Sequence, residues 1–134
     1  DVFFQANRSL DDHILTFAMI ETARALEEVE VIARVPRLSG LYIGPFDLSV
    51  SMGLEKPGDF ADPRLQEAIE RVFNVCQKYG LKCAIFSPHP PDAQAMAARG
   101  MDLISIGLEE QWIREIGGRK AEVGNRKADT SDSD

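Results

Sequence analysis

Short apolar runs alternate with segments of helical spacing along most of this chain, and that alternation constrains the fold more than any other feature. Ile14-Leu15-Thr16-Phe17-Ala18-Met19-Ile20 is the first run, and Gly40-Leu41-Tyr42-Ile43-Gly44 the second. Lys82-Cys83-Ala84-Ile85-Phe86 and Asp102-Leu103-Ile104-Ser105-Ile106-Gly107 follow. Brief, nearly continuous apolar runs suit strands buried on both faces, as in parallel sheets. Between the runs the period changes. Ala25, Leu26, Val29, Ile32 and Ala33 share one face of the Thr22–Ala33 segment, with Glu27, Glu28 and Glu30 elsewhere on the wheel, and Pro36 lies beyond its end. Asp62 is a natural N-cap with Pro63 in the first turn; Leu65, Ile69, Val72, Phe73 and Cys76 form the stripe, and Gly80 suits the stop. Asp92–Arg99 reads as a short Ala-rich helix closed by Gly100, and Glu109–Ile116 as a last helical segment. Residues 45–62, with Pro45, Gly53, Pro57, Gly58 and Asp59, read as a loop.

Four strand–helix units in succession predict an α/β fold with a parallel sheet and right-handed crossovers. Two architectures satisfy this: a small open doubly wound sheet, or part of a (β/α)8 barrel. A whole barrel takes about 250 residues; this chain has 134. The expected organisation is an N-terminal segment over residues 1–13, where Val2-Phe3-Phe4 reads as an edge segment or as the remnant of a preceding element, then a folded domain over 14–116. A polar tail over 117–134, without a buried face, completes it. A chain that opens on Asp1 reads as a piece of something longer or a processed product.

Charge narrows the function classes. The 22 acids outweigh the 15 bases, for a net charge of -7. A surface of that sign repels phosphate backbones and anionic membranes, so neither nucleic acid nor a membrane is an expected partner. No run approaches the ~20 apolar residues that span a bilayer. Two cysteines, Cys76 and Cys83, make no disulfide framework; they read as core residues of a protein in a reducing, cytoplasmic setting.

In either architecture the chemistry belongs at the C-terminal ends of the strands. Glu21 follows the first run and Asp47 the second, in Gly44-Pro45-Phe46-Asp47-Leu48-Ser49. Strands lie ~4.8 Å apart, so two such acids repel unless a cation lies between them or one is protonated. A hard divalent ion held by one or two carboxylates, with water and substrate oxygens around it, resolves that repulsion. The plainer alternative is that each acid caps a helix or pairs with a base. The Gly-Pro step makes a stiff turn that would aim the Phe46 and Asp47 N–H groups into the mouth, toward an anion such as a substrate carboxylate. His89, between prolines at the end of the third run, is a weaker substrate-contact candidate; the simpler reading is a loop histidine.

Met19-Ile20-Glu21-Thr22, Leu41-Tyr42-Ile43-Gly44-Pro45-Phe46-Asp47-Leu48-Ser49 and Met52-Gly53 together resemble the HpcH/HpaI aldolase/citrate lyase family. The resemblance runs from about Ile14 to Ile116 and corresponds to the second half of that family's (β/α)8 barrel. It implies a metal-dependent aldolase that cleaves 4-hydroxy-2-oxo acids to pyruvate, or a related 2-oxo acid, plus an aldehyde. It implies Glu21 and Asp47 as ligands of Mg2+ or Mn2+, with Co2+ a further candidate. Gly44, Phe46, Asp47 and Ser87 are then the substrate-binding positions, Ser87 standing where the family has an apolar pocket residue. The metal would chelate the 2-oxo acid and stabilise the enolate oxygen. No Schiff-base lysine is implied; Lys82 stands at the wrong end of its strand. The histidine acid/base and the arginine of the family come from the first half of the barrel, so no catalytic residue beyond the metal ligands is expected here, and little turnover from this chain alone. A homo-oligomer is expected. The Gly-Pro-Phe-Asp-Leu-Ser segment is nearer the aldolase branch than the citrate lyase branch. A citrate lyase-like acyl-ester lyase remains the alternative within the family, and a non-catalytic α/β binding or assembly module the alternative outside it.

Overall fold

The computed structural model describes residues 14–108, 112–114 and 116–117. The segment expected over 1–13, with His13, and all but Gly117 of the tail expected over 117–134 lie outside the described residues. Four strands form one sheet: β1 (Phe17–Ile20), β2 (Gly40–Ile43), β3 (Lys82–Ser87) and β4 (Leu103–Ile106). All neighbours are parallel and the spatial order is β1-β2-β3-β4. A doubly wound sheet reverses its strand order at a switch point. This one does not, so the sequential order selects the barrel-like alternative of the two.

Helices occupy the connections. α1 (Ala23–Glu27) and α2 (Val29–Ile32) follow β1, α3 (Pro45–Ser51) follows β2, α4 (Pro63–Tyr79) lies between α3 and β3, and α5 (Pro90–Arg99) joins β3 to β4. Residues 112–114 and 116 are helical as well, within the segment expected to be so, and Gly117, expected as the start of the tail, is helical with them. α4 starts and stops as its sequence dictates. The Asp62 side chain accepts a hydrogen bond from the Arg64 N–H at 2.8 Å, Pro63 occupies the first turn, and Gly80 ends the helix at φ 65°, a left-handed conformation that glycine adopts without strain. Gly100 closes α5 in the same way at φ 100°.

Two expectations are corrected. The single helix over Thr22–Ala33 is two short ones, interrupted at Glu28. Residues 45–51, expected as loop, form α3. Pro45 suits a turn in sequence, but proline at the first helical position gives up an N–H that has no partner there anyway.

The core lies between the sheet and the helices on one of its faces. Period-2 alternation puts Ile20, Leu41, Ile43, Cys83 and Ile85 on that face, all fully buried. Leu65, Ile69, Val72 and Cys76 of α4 pack against them. Each large aliphatic side chain so buried contributes about 1.5–3 kcal/mol. Phe73, expected in the α4 stripe, is partly buried at its margin. Cys76 and Cys83 are both free and buried; their hydrogen bond to each other, with burial, pushes the Cys83 thiol up, so it stays protonated. The opposite face of the sheet is different: it carries Phe17, Met19, Tyr42, Ala84, Phe86, Leu103 and Ser105, and Met19 is 53% and Leu103 48% exposed.

Candidate metal and substrate site

Glu21 is the residue after β1, and Thr22 behind it caps α1 by accepting the Ala25 N–H at 3.1 Å. Its position is therefore set from both sides, by a strand end and a helix start. The parallel register pairs Ile20 with Ile43, which brings Gly44 level with Glu21, and the Gly44 N–H donates to the Ile20 carbonyl at 3.2 Å. Gly44 is there for close approach and not for an unusual dihedral: its φ is -98°. A Cβ at this position would lie 3.1 Å from the Glu21 Cβ and 3.5 Å from its Oε2. The glutamate lies on the bare glycine backbone.

Asp47 comes from the first turn of α3, where the helix dipole favours an acid. The Phe46 and Asp47 N–H groups are in that same turn, with no carbonyl one turn back to receive them. Two hydroxyls fix α3 in place. Ser51 accepts the Ala23 N–H at 3.0 Å, tying the helix that carries Asp47 to the one that follows Glu21. Buried Ser49 donates to the Phe46 carbonyl at 2.6 Å and accepts the Gly58 N–H at 2.7 Å, which draws the 53–62 segment over the Phe46 ring. Gly58 allows this at φ 72°, where an added Cβ would stand 3.3 Å from that ring.

The two acids line one cavity of about 630 Å³ at the C-terminal ends of the strands. Tyr42, Phe46, Phe60 and Phe86 supply aromatic walls, Met19, Pro45, Pro57 and Leu108 aliphatic ones, and His89 its nitrogen base. No described basic side chain pairs with Glu21 or Asp47. Among the described residues no third acid, histidine or cysteine joins them in a cluster able to hold a metal. The donor set is thus two carboxylates with open space beside them. That fits a hard, oxygen-seeking divalent ion whose remaining positions go to water and substrate.

The structure brings together four of the five sequence-predicted site residues: Glu21, Gly44, Phe46 and Asp47. Ser87 is the exception and is corrected. It has the parity of Cys83 and Ile85, faces the helices, is fully buried, and donates to the His89 carbonyl at 3.3 Å. Phe86, one residue earlier and on the opposite face, lines the cavity instead. His89 is there also. Tyr42 and Phe60 were missed. Tyr42 was readable from strand alternation, whereas Phe60 reaches the site only through the Ser49–Gly58 tie. A second depression, of about 670 Å³, lies among the outer helices between Glu30, Glu67, Lys78 and Arg99. Its charges neutralise one another, with Lys78 and Glu30 2.9 Å apart. Lys82 is at the far end of β3, its Nζ 2.6 Å from Asp102 Oδ1 and well away from the acids.

Comparison with known proteins agrees with this architecture. The sequence matches the HpcH/HpaI aldolase/citrate lyase family over residues 4–115. The chain belongs to that family. A hydroxypyruvate/pyruvate aldolase of Paraburkholderia phytofirmans is 33% identical over 100 residues, 75% of this chain and 38% of that protein. The crystal structure of an HpcH/HpaI aldolase/citrate lyase family protein from Burkholderia cenocepacia superposes with a TM-score of 0.73 at 29% identity, over 84% of this chain and 43% of that one. The protein CitE of Mycobacterium tuberculosis, solved in complex with magnesium and acetate, shares the fold at a TM-score of 0.60 and 19% identity, over 72% of this chain and 45% of that one. The chain spans about two fifths of the length of the curated relative, and the described residues are half of a family (β/α)8 barrel, with the acids at the C-terminal ends of its strands.

Proposed function

We propose that this half-barrel carries the metal and 2-oxo acid site of a divalent-metal-dependent aldolase. The carrying observation is the convergence of Glu21 and Asp47 on one cavity, from adjacent strand ends and with no basic partner among the described residues. Glu21, held over Gly44, and Asp47, held at the start of α3, would be the protein ligands of Mg2+ or Mn2+. When bound, such an ion supplies Lewis acidity to a 2-oxo oxygen. The Phe46 and Asp47 N–H groups orient the substrate carboxylate. Tyr42, Phe46, Phe60 and Phe86 exclude water from one side of the cavity, which strengthens every charge interaction within it. The substrate class is a 4-hydroxy-2-oxo acid, cleaved to pyruvate or a related 2-oxo acid and an aldehyde. Proton transfer is assigned to the part of a barrel that completes this half. The family name of the relatives, two acids with no basic partner among the described residues, and the solved magnesium complex of a fold neighbour support this reading. The free, buried thiols favour a cytoplasmic setting, and the bare sheet face favours a homo-oligomer. No described helix is long and apolar enough to cross a membrane.

Titration with Mn2+, followed by the loss of the free-ion electron paramagnetic resonance signal, tests the site directly. The chain binds the ion, and Asp47→Asn abolishes binding with the fold intact by circular dichroism. Equal binding by the variant would overturn the assignment.

A further inference from the structure

Gln66 belongs to two places at once. It lines the outer depression together with Glu70 and Arg99, and its side chain reaches the wall of the acid-lined cavity. Arg99 Nη2 donates to Gln66 Oε1 at 2.9 Å, and Gln66 Nε2 donates to the Phe60 carbonyl at 2.7 Å; both bonds are part-buried. We propose that Gln66 is a positioning residue for the 2-oxo acid site, holding Phe60 in the cavity wall through a relay that begins at Arg99. The inference rests on the 2-oxo acid reading given above and adds to it a residue that does not itself line the cavity.

The partners fix the direction of the relay. A guanidinium only donates and a backbone carbonyl only accepts. A side-chain amide, with an acceptor at one atom and a donor at the other, satisfies both. Turned over, it would set its N–H groups against the guanidinium and its oxygen against the Phe60 carbonyl. Arg99 is itself restrained. It ends α5, its Nε lies 3.7 Å from Glu70 Oε2, and its side chain is only 28% exposed. Both Glu70 and Gln66 come from α4, so the relay spans two packed helices before it reaches the cavity.

At Phe60 the relay meets a second restraint. The peptide group between Phe60 and Ala61 is held at both ends: its C=O accepts from Gln66, and its N–H donates to Asp59 Oδ1 at 2.9 Å. The bond between Ser49 and Gly58 brings the 53–62 segment over the site, and the Gln66 bond sets the peptide plane from which the Phe60 ring projects. That ring packs against the core and lines the cavity. A wall already ordered before a ligand arrives spares the complex the cost of ordering it, which raises affinity without a new contact. The carboxylates of Glu21 and Asp47 take no part in this relay, so metal binding and 2-oxo acid binding respond to it differently.

Calorimetric titration of pyruvate into the Mn2+-loaded chain tests this. Gln66→Glu keeps an acceptor for Arg99 and removes the donor to Phe60. It binds Mn2+ as the unaltered chain does and pyruvate about two- to tenfold more weakly, the range for one lost hydrogen bond. In a Phe60→Ala background the same substitution costs pyruvate nothing further, because Gln66 acts through Phe60. A merely structural glutamine would weaken both backgrounds alike. Should Gln66→Glu fail to fold by circular dichroism, 15N spectra of the unaltered Mg2+-loaded chain decide. Pyruvate shifts the side-chain amide signals of Gln66 and leaves those of Gln77, exposed near the other end of α4, in place. Pyruvate affinity unmoved by Gln66→Glu, an equal loss in both backgrounds, or Gln66 signals that ignore pyruvate would each overturn the proposal. An unaltered chain that binds the metal and no pyruvate would overturn the 2-oxo acid reading itself, and this proposal with it.

Discussion

The two ends of this sheet treat their acids in opposite ways. At the N-terminal end Asp102 is fully served: Lys82 stands 2.6 Å from one oxygen and the Cys83 N–H donates to the other at 2.9 Å. At the C-terminal end Glu21 and Asp47 share a cavity with aromatic walls and no described base between them. The same functional group does two jobs. A carboxylate with its cation and its donor already in place joins strands. A pair of carboxylates left without either keeps an unbalanced charge that an incoming cation can balance. In a parallel sheet this division is natural, because the strand ends on one side feed helix starts and open loops, while those on the other are closed by tight turns.

Alanine at each end should separate the two roles. The largest effect expected is at the mouth: Glu21→Ala removes Mn2+ binding while the urea midpoint stays at or above its original value, since a repulsion is relieved. A variant that binds the ion as before would place the charge reserve elsewhere. Next is Gly44→Ala. Its new Cβ, 3.1 Å from that of Glu21, pushes the glutamate off the strand end. Displaced support of a ligand typically costs about 10–100-fold in metal affinity. Calorimetric titration with Mn2+ checks this, and unchanged affinity would show that Glu21 does not need the glycine.

Asp102→Ala should do the reverse. It leaves the part-buried Cys83 N–H without its acceptor and Lys82 without its partner. An orphaned buried donor costs about 1–3 kcal/mol, so the urea midpoint falls while Mn2+ binding is retained. If binding falls with stability, the two ends are not independent and the comparison fails.

Much of this division was legible in the residues. The alternation of period marked all four strands, and Asp62 with Pro63 and Gly80 bracketed α4, because caps and breakers act locally. The Glu21–Asp47 pair followed from strand ends alone. What escaped depended on longer reach. α3 was hidden because Pro45 serves a turn and a first helical position equally well, and only the surrounding chain decides between them. Ser87 was placed on the wrong face although its parity with Cys83 and Ile85 argued against a cavity position; the resemblance outweighed the alternation. Phe60 had no local signal, since it is brought to the cavity by the hydrogen bond between Ser49 and Gly58, nine residues apart.

The smallest expected effect concerns acid. Lys82, then the Cys83 N–H, holds the Asp102 carboxyl below its ordinary value. A carboxyl with a lowered folded-state pKa adds stability that is present above its unfolded value of about 3.9 and is lost as the pH falls through the folded value. The Lys82 side chain is 60% exposed, so solvent screens the pair and its contribution stays within about 1 kcal/mol. Asp102→Asn keeps an oxygen for the Cys83 N–H but loses the charge. Its urea midpoint should lie slightly below that of the unaltered chain at neutral pH, and the gap should close as both are titrated toward pH ~2. A gap that persists undiminished in acid would mean that shape and hydrogen bonding, and not the charge on Asp102, hold the N-terminal end of the sheet together.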